Sequence, residues 1–186
     1  MTTQEYETKI LDIDIPALKY KLHGLDWFCS RPRRLVRRWV FSLPREQKNA
    51  WVRIVEESDA KGQLALAYKS YESHQIGGIR EHEFMVKGDM SEMKNFFELI
   101  GCSLIAEQHN YEEEYRLQDQ KNVKIDIEEW PLIPPYAEVE SDDEQGVMRA
   151  LVALGFDTSA SQPITTKMVY KKYGLNLHDY KKLTFD

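Results

Sequence analysis

The stretch Glu5-Tyr6-Glu7-Thr8-Lys9-Ile10-Leu11-Asp12-Ile13 decides the fold, because it joins the alternation of a β-strand to two carboxylates on one face. Successive side chains of a strand point to opposite faces, so Glu5, Glu7 and Lys9 share a face. Alternate residues lie about 6.6 Å apart, and two carboxylates at that distance repel by roughly 2.5 kcal/mol at an effective dielectric near 20. A solvated face with a Glu–Lys pair relieves this repulsion in water, whereas a face that points into the protein requires a cation. The strand alone leaves both interpretations open.

Pairs of acidic residues at positions i and i+2 recur on four predicted strands. The pairs are Glu5/Glu7, Glu81/Glu83, Asp126/Glu128 and Glu138/Glu140. An ordinary half-buried sheet turns its apolar face inward and its charges to water. A wide closed barrel can instead carry helices on its outer face and enclose a polar lumen. The pattern of residues fits both arrangements.

The composition is typical of a globular protein, and the 186 residues suit a single domain, 1–186. A net charge of −6 argues against nucleic acid and anionic membranes as partners. The two cysteines, Cys29 and Cys102, form no metal motif. The N-terminus has no apolar signal region, and no apolar run approaches the roughly 20 residues of a membrane helix. These features predict a cytoplasmic protein without a membrane partner.

Periodicity and capping residues predict an alternation of strands and helices. Predicted helices cover residues 14–24, 89–101, 142–154 and 165–173. Further predicted strands cover residues 39–43, 50–57, 64–69, 80–86, 103–117, 123–128 and 136–140. Residues 26–34 are expected to form a loop that enters a basic cluster, most of whose charges are solvated, and the pattern leaves open whether Arg37 or Arg38 points inward. The run Glu112-Glu113-Glu114 is likewise expected to be a solvated face.

Five segments, taken in order, resemble the motifs of the CYTH superfamily, the triphosphate tunnel metalloenzymes. Glu5-x-Glu7-x-Lys9 is similar to the opening signature of that family. The other four are Trp51-Val52-Arg53-Ile54 for its Leu-Arg-Ile-Arg strand, Leu66-Ala67-Tyr68-Lys69 for its Thr-Leu-x-x-Lys strand, Glu81-x-Glu83 for its middle acidic pair, and residues 123–140 for its Asp-to-Glu-Ile-Glu segment. Trp130-Pro131 and Tyr136-Ala137-Glu138-Val139-Glu140 are particularly like the branch of the class IV adenylyl cyclases.

The resemblance implies an α+β protein, namely a closed eight-stranded antiparallel β-barrel with helices packed outside. Its tunnel would bind a nucleoside or organic triphosphate together with one or two Mg²⁺ or Mn²⁺ ions. The residues that the resemblance assigns are Glu5, Glu7, Glu128, Glu138 and Glu140 as metal ligands, Lys9, Arg53 and Lys69 as phosphate-binding residues, Lys9 and Glu7 as catalytic residues, and Glu81, Glu83 and Asp126 as additional tunnel residues. Antiparallel homodimers are compatible with this kind of fold.

Three departures from the family pattern remove positive charge. Val55 stands where the family has a second arginine, and Asn110 and Glu112 stand where it has a lysine and an arginine. Two functions therefore stay open: a metal-dependent cyclase or hydrolase of a triphosphate, and a catalytically degenerate tunnel protein that binds a cation, a polyamine or a less charged nucleotide. A plain α+β domain with solvated acidic strands is a third possibility.

Overall fold

A computed structural model describes residues 3–45, 49–60, 62–73, 75–119 and 122–185. These residues form nine β-strands and four α-helices. The strands are β1 (Thr3–Ile10), β2 (Trp27–Ser42), β3 (Ala50–Glu57), β4 (Gln63–Tyr71), β5 (Ile79–Lys87), β6 (Ser103–Leu117), β7 (Val123–Glu129), β8 (Tyr136–Ser141) and β9 (Lys182–Leu183). The helices are α1 (Ile15–Gly24), α2 (Met90–Leu99), α3 (Glu144–Ala153) and α4 (Thr166–Lys172), with 3₁₀ turns at Thr158–Ala160 and Leu177–Asp179.

The first eight strands close into an antiparallel barrel. Their order is β2-β3-β4-β5-β1-β8-β7-β6, and β6 pairs back with β2. The short β9 adds in parallel to β6 at Glu107 and Gln108. The predicted fold class, a closed eight-stranded barrel with helices outside it, is confirmed.

The long strand β2 corrects the prediction of a loop over residues 26–34 and of a strand that begins only at residue 39. It pairs with β6 from Trp27 to Ser42. The register shifts between Cys29 and Arg31 and again between Arg31 and Arg34, and Pro32 lies within the second shift. Bulges are where a sheet tolerates proline. The proline and the basic cluster therefore resemble a loop in sequence, although the partner strand β6 keeps them in the sheet.

The N-terminal caps of the helices follow the sequence. Asp14 accepts a hydrogen bond from the backbone N–H of Ala17 at the start of α1. Asp89 accepts from Ser91 and Glu92 at the start of α2. Side-chain acceptors at this position satisfy backbone donors that lack partners within the helix. The helices predicted at these places are confirmed.

Apolar side chains lie on the outer face of the barrel, beneath the helices. Leu22 of α1 and Leu151 of α3 are fully buried there. They pack on outward residues of β1, β7 and β8, which are Ile10, Ile125, Ile127, Ala137 and Val139. A second cluster places Phe97 of α2 over Phe41 of β2. The largest apolar clusters therefore lie outside the barrel, and the charged side chains of the strands point into the lumen.

The C-terminal segment forms a third cluster at one mouth of the barrel. Val169 and Tyr170 of α4 are fully buried beside Trp130 and Tyr136. The Tyr170 hydroxyl donates a 2.7 Å hydrogen bond to the carbonyl of Pro131. The C-terminal segment thus holds Trp130, Pro131 and Tyr136 in place beside the lumen. Within the described ranges, every helix is too short or too polar to cross a membrane.

Candidate functional site

The barrel encloses a cavity of about 950 Å³ with a densely charged wall. Eleven carboxylates line it, and these are Glu5, Glu7, Glu57, Glu81, Glu83, Glu112, Glu114, Asp126, Glu128, Glu138 and Glu140. Eight basic side chains line it as well, and these are Lys9, Arg31, Arg34, Arg38, Arg53, Lys69, Lys124 and Lys167. All four acidic pairs of the sequence thus border one space. Carboxylates outnumber lysine and arginine side chains in this wall.

Three of the residues predicted to bind metal converge. The register places Glu7 of β1 directly opposite Glu140 of β8, and Glu5 precedes Glu7 on the same face of β1. Carboxylate oxygens of Glu5, Glu7 and Glu140 all lie within 4.8 Å of one another. Oxygen donors at this spacing suit a hard divalent cation. Burial raises the pKa of Glu5, and nearby Lys69 opposes that shift.

The ammonium group of Lys9 lies between two carboxylates. Its Nζ is 2.9 Å from Glu7 Oε1 and also contacts Glu138. Burial lowers the pKa of Lys9, but Glu138, Glu7 and Glu128 outweigh it and raise the pKa above its usual range. The carboxylates around Lys9 therefore favour its charged form. Glu138, predicted as a metal ligand, is held by Lys9 and stands outside the cluster of Glu5, Glu7 and Glu140.

Glu128, also predicted as a metal ligand, is fixed by neutral donors. It accepts hydrogen bonds from the Trp130 indole N–H, from the Tyr136 hydroxyl at 2.8 Å and from Asn110 Nδ2 at 3.4 Å. Burial, together with the charges of Glu138 and Glu112, raises the pKa of Glu128 to about 7. The structure thus places Glu128 in a supporting network beside Arg38.

Asp126 is the second buried carboxyl with a raised pKa. Burial raises the pKa of Asp126 to about 7, against the nearby charge of Lys124. Lys124 Nζ lies 3.2 Å from Asp126 Oδ2 and 2.9 Å from Glu140 Oε2. Lys124 therefore connects Asp126 to the edge of the carboxylate cluster.

The predicted phosphate-binding residues of β3 and β4 lie in the cavity and engage the acidic wall. Lys69 Nζ is 2.9 Å from both oxygens of Glu5 and 3.3 Å from Glu81. Arg53 Nη2 also approaches Glu81, at 3.3 Å. Arg53 Nε is buried and has no hydrogen-bond partner among the described residues. Glu83 lines the same cavity but is exposed at its opening.

Arg34 is a site residue that the sequence prediction missed, and Arg38 is one that it left open. Both project into the cavity from β2 and converge on Glu112 of β6. Arg37, between them, points outward and pairs with Glu56 at 2.8 Å. The open choice between Arg37 and Arg38 is thereby resolved in favour of Arg38. The signal was the alternation Arg34-x-Val36-x-Arg38, which the assumption of a loop obscured.

The buried position of Glu112 corrects the expectation that the run 112–114 is solvated. Burial raises its pKa, but Arg38 and Arg34 outweigh this and lower the pKa of Glu112 to about 2. Glu114 is also buried and accepts from Ser30 and Arg116, both at 2.6 Å. Glu112 is buried because the barrel closes through the pairing of β2 with β6. That pairing brings the guanidinium groups of Arg34 and Arg38 to the carboxylate of Glu112.

The strand register places basic residues of β2 opposite the positions that depart from the family pattern. Arg38 lies directly opposite Val55, where the family pattern has an arginine. Arg34 lies directly opposite Glu112, which stands at another basic position of that pattern. Arg34 and Arg38 of β2 therefore place positive charge opposite the two positions at which the resemblance would lead one to expect it.

Comparisons with known proteins bear on the fold. No protein-family model matches the chain, and no curated protein matches it. Among solved structures, a candidate adenylate cyclase from Vibrio parahaemolyticus gives a TM-score of 0.74 at 12% identity, covering 91% of this chain and 98% of that one. The PH1819 protein from Pyrococcus horikoshii OT3 gives 0.72 at 16% identity, covering 90% and 99%. A candidate adenylyl cyclase from Hippeastrum with a dominant triphosphatase activity gives 0.59 at 15% identity, covering 93% and 97%. These similarities show a common fold, which is consistent with the triphosphate tunnel that the motifs predict.

Proposed function

We propose that this protein is a metal-dependent enzyme that acts on a nucleoside or organic triphosphate inside the tunnel. The observation that carries the proposal is the cluster of Glu5, Glu7 and Glu140, whose oxygens lie within 4.8 Å of one another. The same cavity contains the basic side chains Arg53 and Lys69. The carboxylate cluster is complementary to a divalent cation, and the basic side chains are complementary to a polyphosphate.

The donor set fits Mg²⁺ or Mn²⁺, and Glu5, Glu7 and Glu140 would hold the ion. When bound, it would neutralise charge on the phosphate oxygens that it contacts. Arg53 and Lys69 would orient the phosphates, and their present partners Glu81 and Glu5 would then be shared with the ligand and the ion. Lys9 would contribute positive charge, since the carboxylates of Glu138 and Glu7 raise its pKa.

Two structural neighbours support this class of reaction. The Vibrio parahaemolyticus protein is described as a candidate adenylate cyclase, and the Hippeastrum protein has a dominant triphosphatase activity. The reaction proposed here is accordingly either cyclisation with release of pyrophosphate or hydrolysis of the terminal phosphate. A cytoplasmic location, the absence of a nucleic-acid partner and a homodimer stay predictions.

Incubation with ATP, GTP and inorganic triphosphate, each with Mn²⁺ or Mg²⁺, tests the proposal. We expect the wild type to release pyrophosphate with a cyclic nucleotide, or to release phosphate. Glu7→Gln should remove that activity because it breaks the carboxylate cluster. Glu56→Gln is the matched control, since Glu56 pairs with Arg37 outside the tunnel. A wild type that forms neither product with any substrate or metal overturns the proposal.

A second candidate is a tunnel protein that has lost catalysis and binds a ligand. The observation that favours it is the internal pairing of the lumen, where Lys9, Lys69 and Lys124 each contact two carboxylates. Such pairs satisfy the charged groups without any ligand. Calorimetry against triphosphates, monophosphates and polyamines separates the two candidates. Tight, metal-dependent binding of a triphosphate counts against the degenerate protein, and preferential binding of a polyamine supports it.

A further inference from the structure

Two arginines of β2 converge on a single carboxylate deep in the tunnel. Arg34 Nη2 lies 2.9 Å from Glu112 Oε2, and Arg38 Nη2 contacts the other oxygen, Oε1. The side chains of Arg34 and Arg38 are only 5% and 10% exposed. Glu112 also accepts a hydrogen bond from Asn110 Nδ2 at 3.3 Å. The carboxylate therefore fixes both guanidinium groups through one nitrogen each.

The other terminal nitrogen of each arginine, Nη1, does not contact Glu112. Arg34 Nη1 and Arg38 Nη1 are buried, and neither has a hydrogen-bond partner within the described part of the chain. Leaving a buried charged donor without an acceptor costs free energy. Both side chains line the tunnel cavity, so a ligand in that cavity can supply the missing acceptors. Planar guanidinium groups match the spacing of phosphate oxygens.

The surroundings set the charge of this cluster. Arg38 also lies over the ring of Trp130, with 5.2 Å from its Cζ to the ring centre. Arg34 Nε also pairs with Glu57 Oε1 at 3.2 Å, so two carboxylates balance the two guanidinium groups. The two free Nη1 donors, rather than a net charge, make this place suitable for an anionic acceptor.

Arg53 lies beside this cluster, on the next strand. Arg38 is directly opposite Val55, so Arg53 is its diagonal neighbour across β2 and β3. Diagonal neighbours are about 7–8 Å apart. Since Arg53 Nε also lacks a partner among the described residues, the free donors of β2 and β3 border the same part of the cavity.

We propose that Arg34 and Arg38, held together by Glu112, form an oxyanion clamp that binds one phosphate group of the tunnel ligand. The clamp is separate from the pair Arg53 and Lys69, which would contact another phosphate of the same chain. Glu112 acts as a positioning residue that presents the two free nitrogens. The identity of the ligand as a polyphosphate rests on the proposed function, whereas binding of an oxyanion by the clamp does not require catalysis.

Arginine-to-lysine substitutions test the clamp. Arg34→Lys and Arg38→Lys keep the charge and the ion pair with Glu112, but they remove the second planar nitrogen. Calorimetric titration with inorganic triphosphate, with and without Mn²⁺, should show binding at least roughly tenfold weaker in each variant than in the wild type. The control Arg37→Lys, on the same strand but outside the tunnel, should bind within about twofold of the wild type.

A second measurement avoids any dependence on the folding of the variants. Nitrogen NMR of the arginine side chains of the wild type should show the signals of Arg34 and Arg38 shifting on addition of inorganic triphosphate, with the signal of Arg37 unchanged. Shifts confined to Arg53, or lysine variants that bind like the wild type, overturn the clamp and leave the proposed function standing. Binding through Arg34 and Arg38 without turnover of ATP, GTP or inorganic triphosphate by either metal supports the clamp and overturns the proposed enzyme. A wild type that binds neither inorganic triphosphate nor ATP nor GTP, with or without Mn²⁺, overturns both.

Discussion

At the scale of single residues, the lumen is stabilised by shared carboxylates rather than by isolated pairs. Glu112 holds Arg34 and Arg38, and Lys9 lies between Glu7 and Glu138. Removing one partner of a buried ion pair leaves an uncompensated charge in a low dielectric, which is strongly destabilising. The charged wall therefore constrains stability as well as ligand binding.

Replacement of Glu112 by glutamine should destabilise the protein, because two buried guanidinium groups lose their only shared carboxylate among the described residues. We expect the free energy of unfolding to fall by about 3–5 kcal/mol. Glu56→Gln breaks the half-exposed pair with Arg37 and should cost less than about 1 kcal/mol. Urea denaturation measures both variants. Equal, small losses would contradict the buried arrangement.

Asp126 and Glu128 should make the metal-free protein less stable as pH rises. Each carboxyl has a pKa near 7 in the folded state, above its usual value, so the folded state binds more protons than the unfolded state between roughly pH 4 and 7. Stability is highest below that window and is lost as pH rises through it. The lowered pKa of Glu112 has the opposite effect, but its contribution is lost only as pH falls toward 2.

The measurement is the urea midpoint at about pH 5 and pH 8 with a chelator present. We expect the midpoint to fall between these values in the wild type and to fall less in Asp126→Asn, which stays neutral at both. A midpoint that rises with pH would show that both carboxyls are ionised throughout.

At the scale of secondary structure, the sequence predicts those elements whose signal is local. Alternation identified β1 and β7, and capping residues identified α1 and α2. The strand β2 could not be found in this way, since Pro32 and the basic cluster resemble a loop when β6 is not considered. The pairing of β2 with β6 is a long-range property, so it is set by tertiary structure rather than by local propensity.

Helix α3 offers a direct test of the outer core, because two adjacent residues face opposite ways. Leu151 is fully buried against the barrel, and Val152 is 63% exposed. Leu151→Ala should lower the free energy of unfolding by about 2–5 kcal/mol through the lost contacts and the cavity. Val152→Ala should change it by no more than about 0.5 kcal/mol. Equal effects in urea denaturation would contradict the docking of α3 on the outer face.

At the scale of the whole molecule, the barrel has its apolar clusters outside and its charges inside. The repetition of acidic pairs, together with the family resemblance, was enough to predict this arrangement. It was also enough to predict that Glu5, Glu7 and Glu140 border one cavity. The contribution of Arg34, and the choice of Arg38 over Arg37, could not be predicted, because the inward face of β2 is known only when its pairing with β6 is known.

The central claim is that the carboxylate cluster of the tunnel holds a divalent cation, and titration with Mn²⁺ followed by electron paramagnetic resonance tests it most directly. Bound Mn²⁺ loses the sharp signal of the free ion. We expect the wild type and Glu56→Gln to bind Mn²⁺ with the same affinity. Glu7→Gln should bind Mn²⁺ at least roughly tenfold more weakly. Equal binding by the wild type and Glu7→Gln, or no binding by the wild type, would contradict the account.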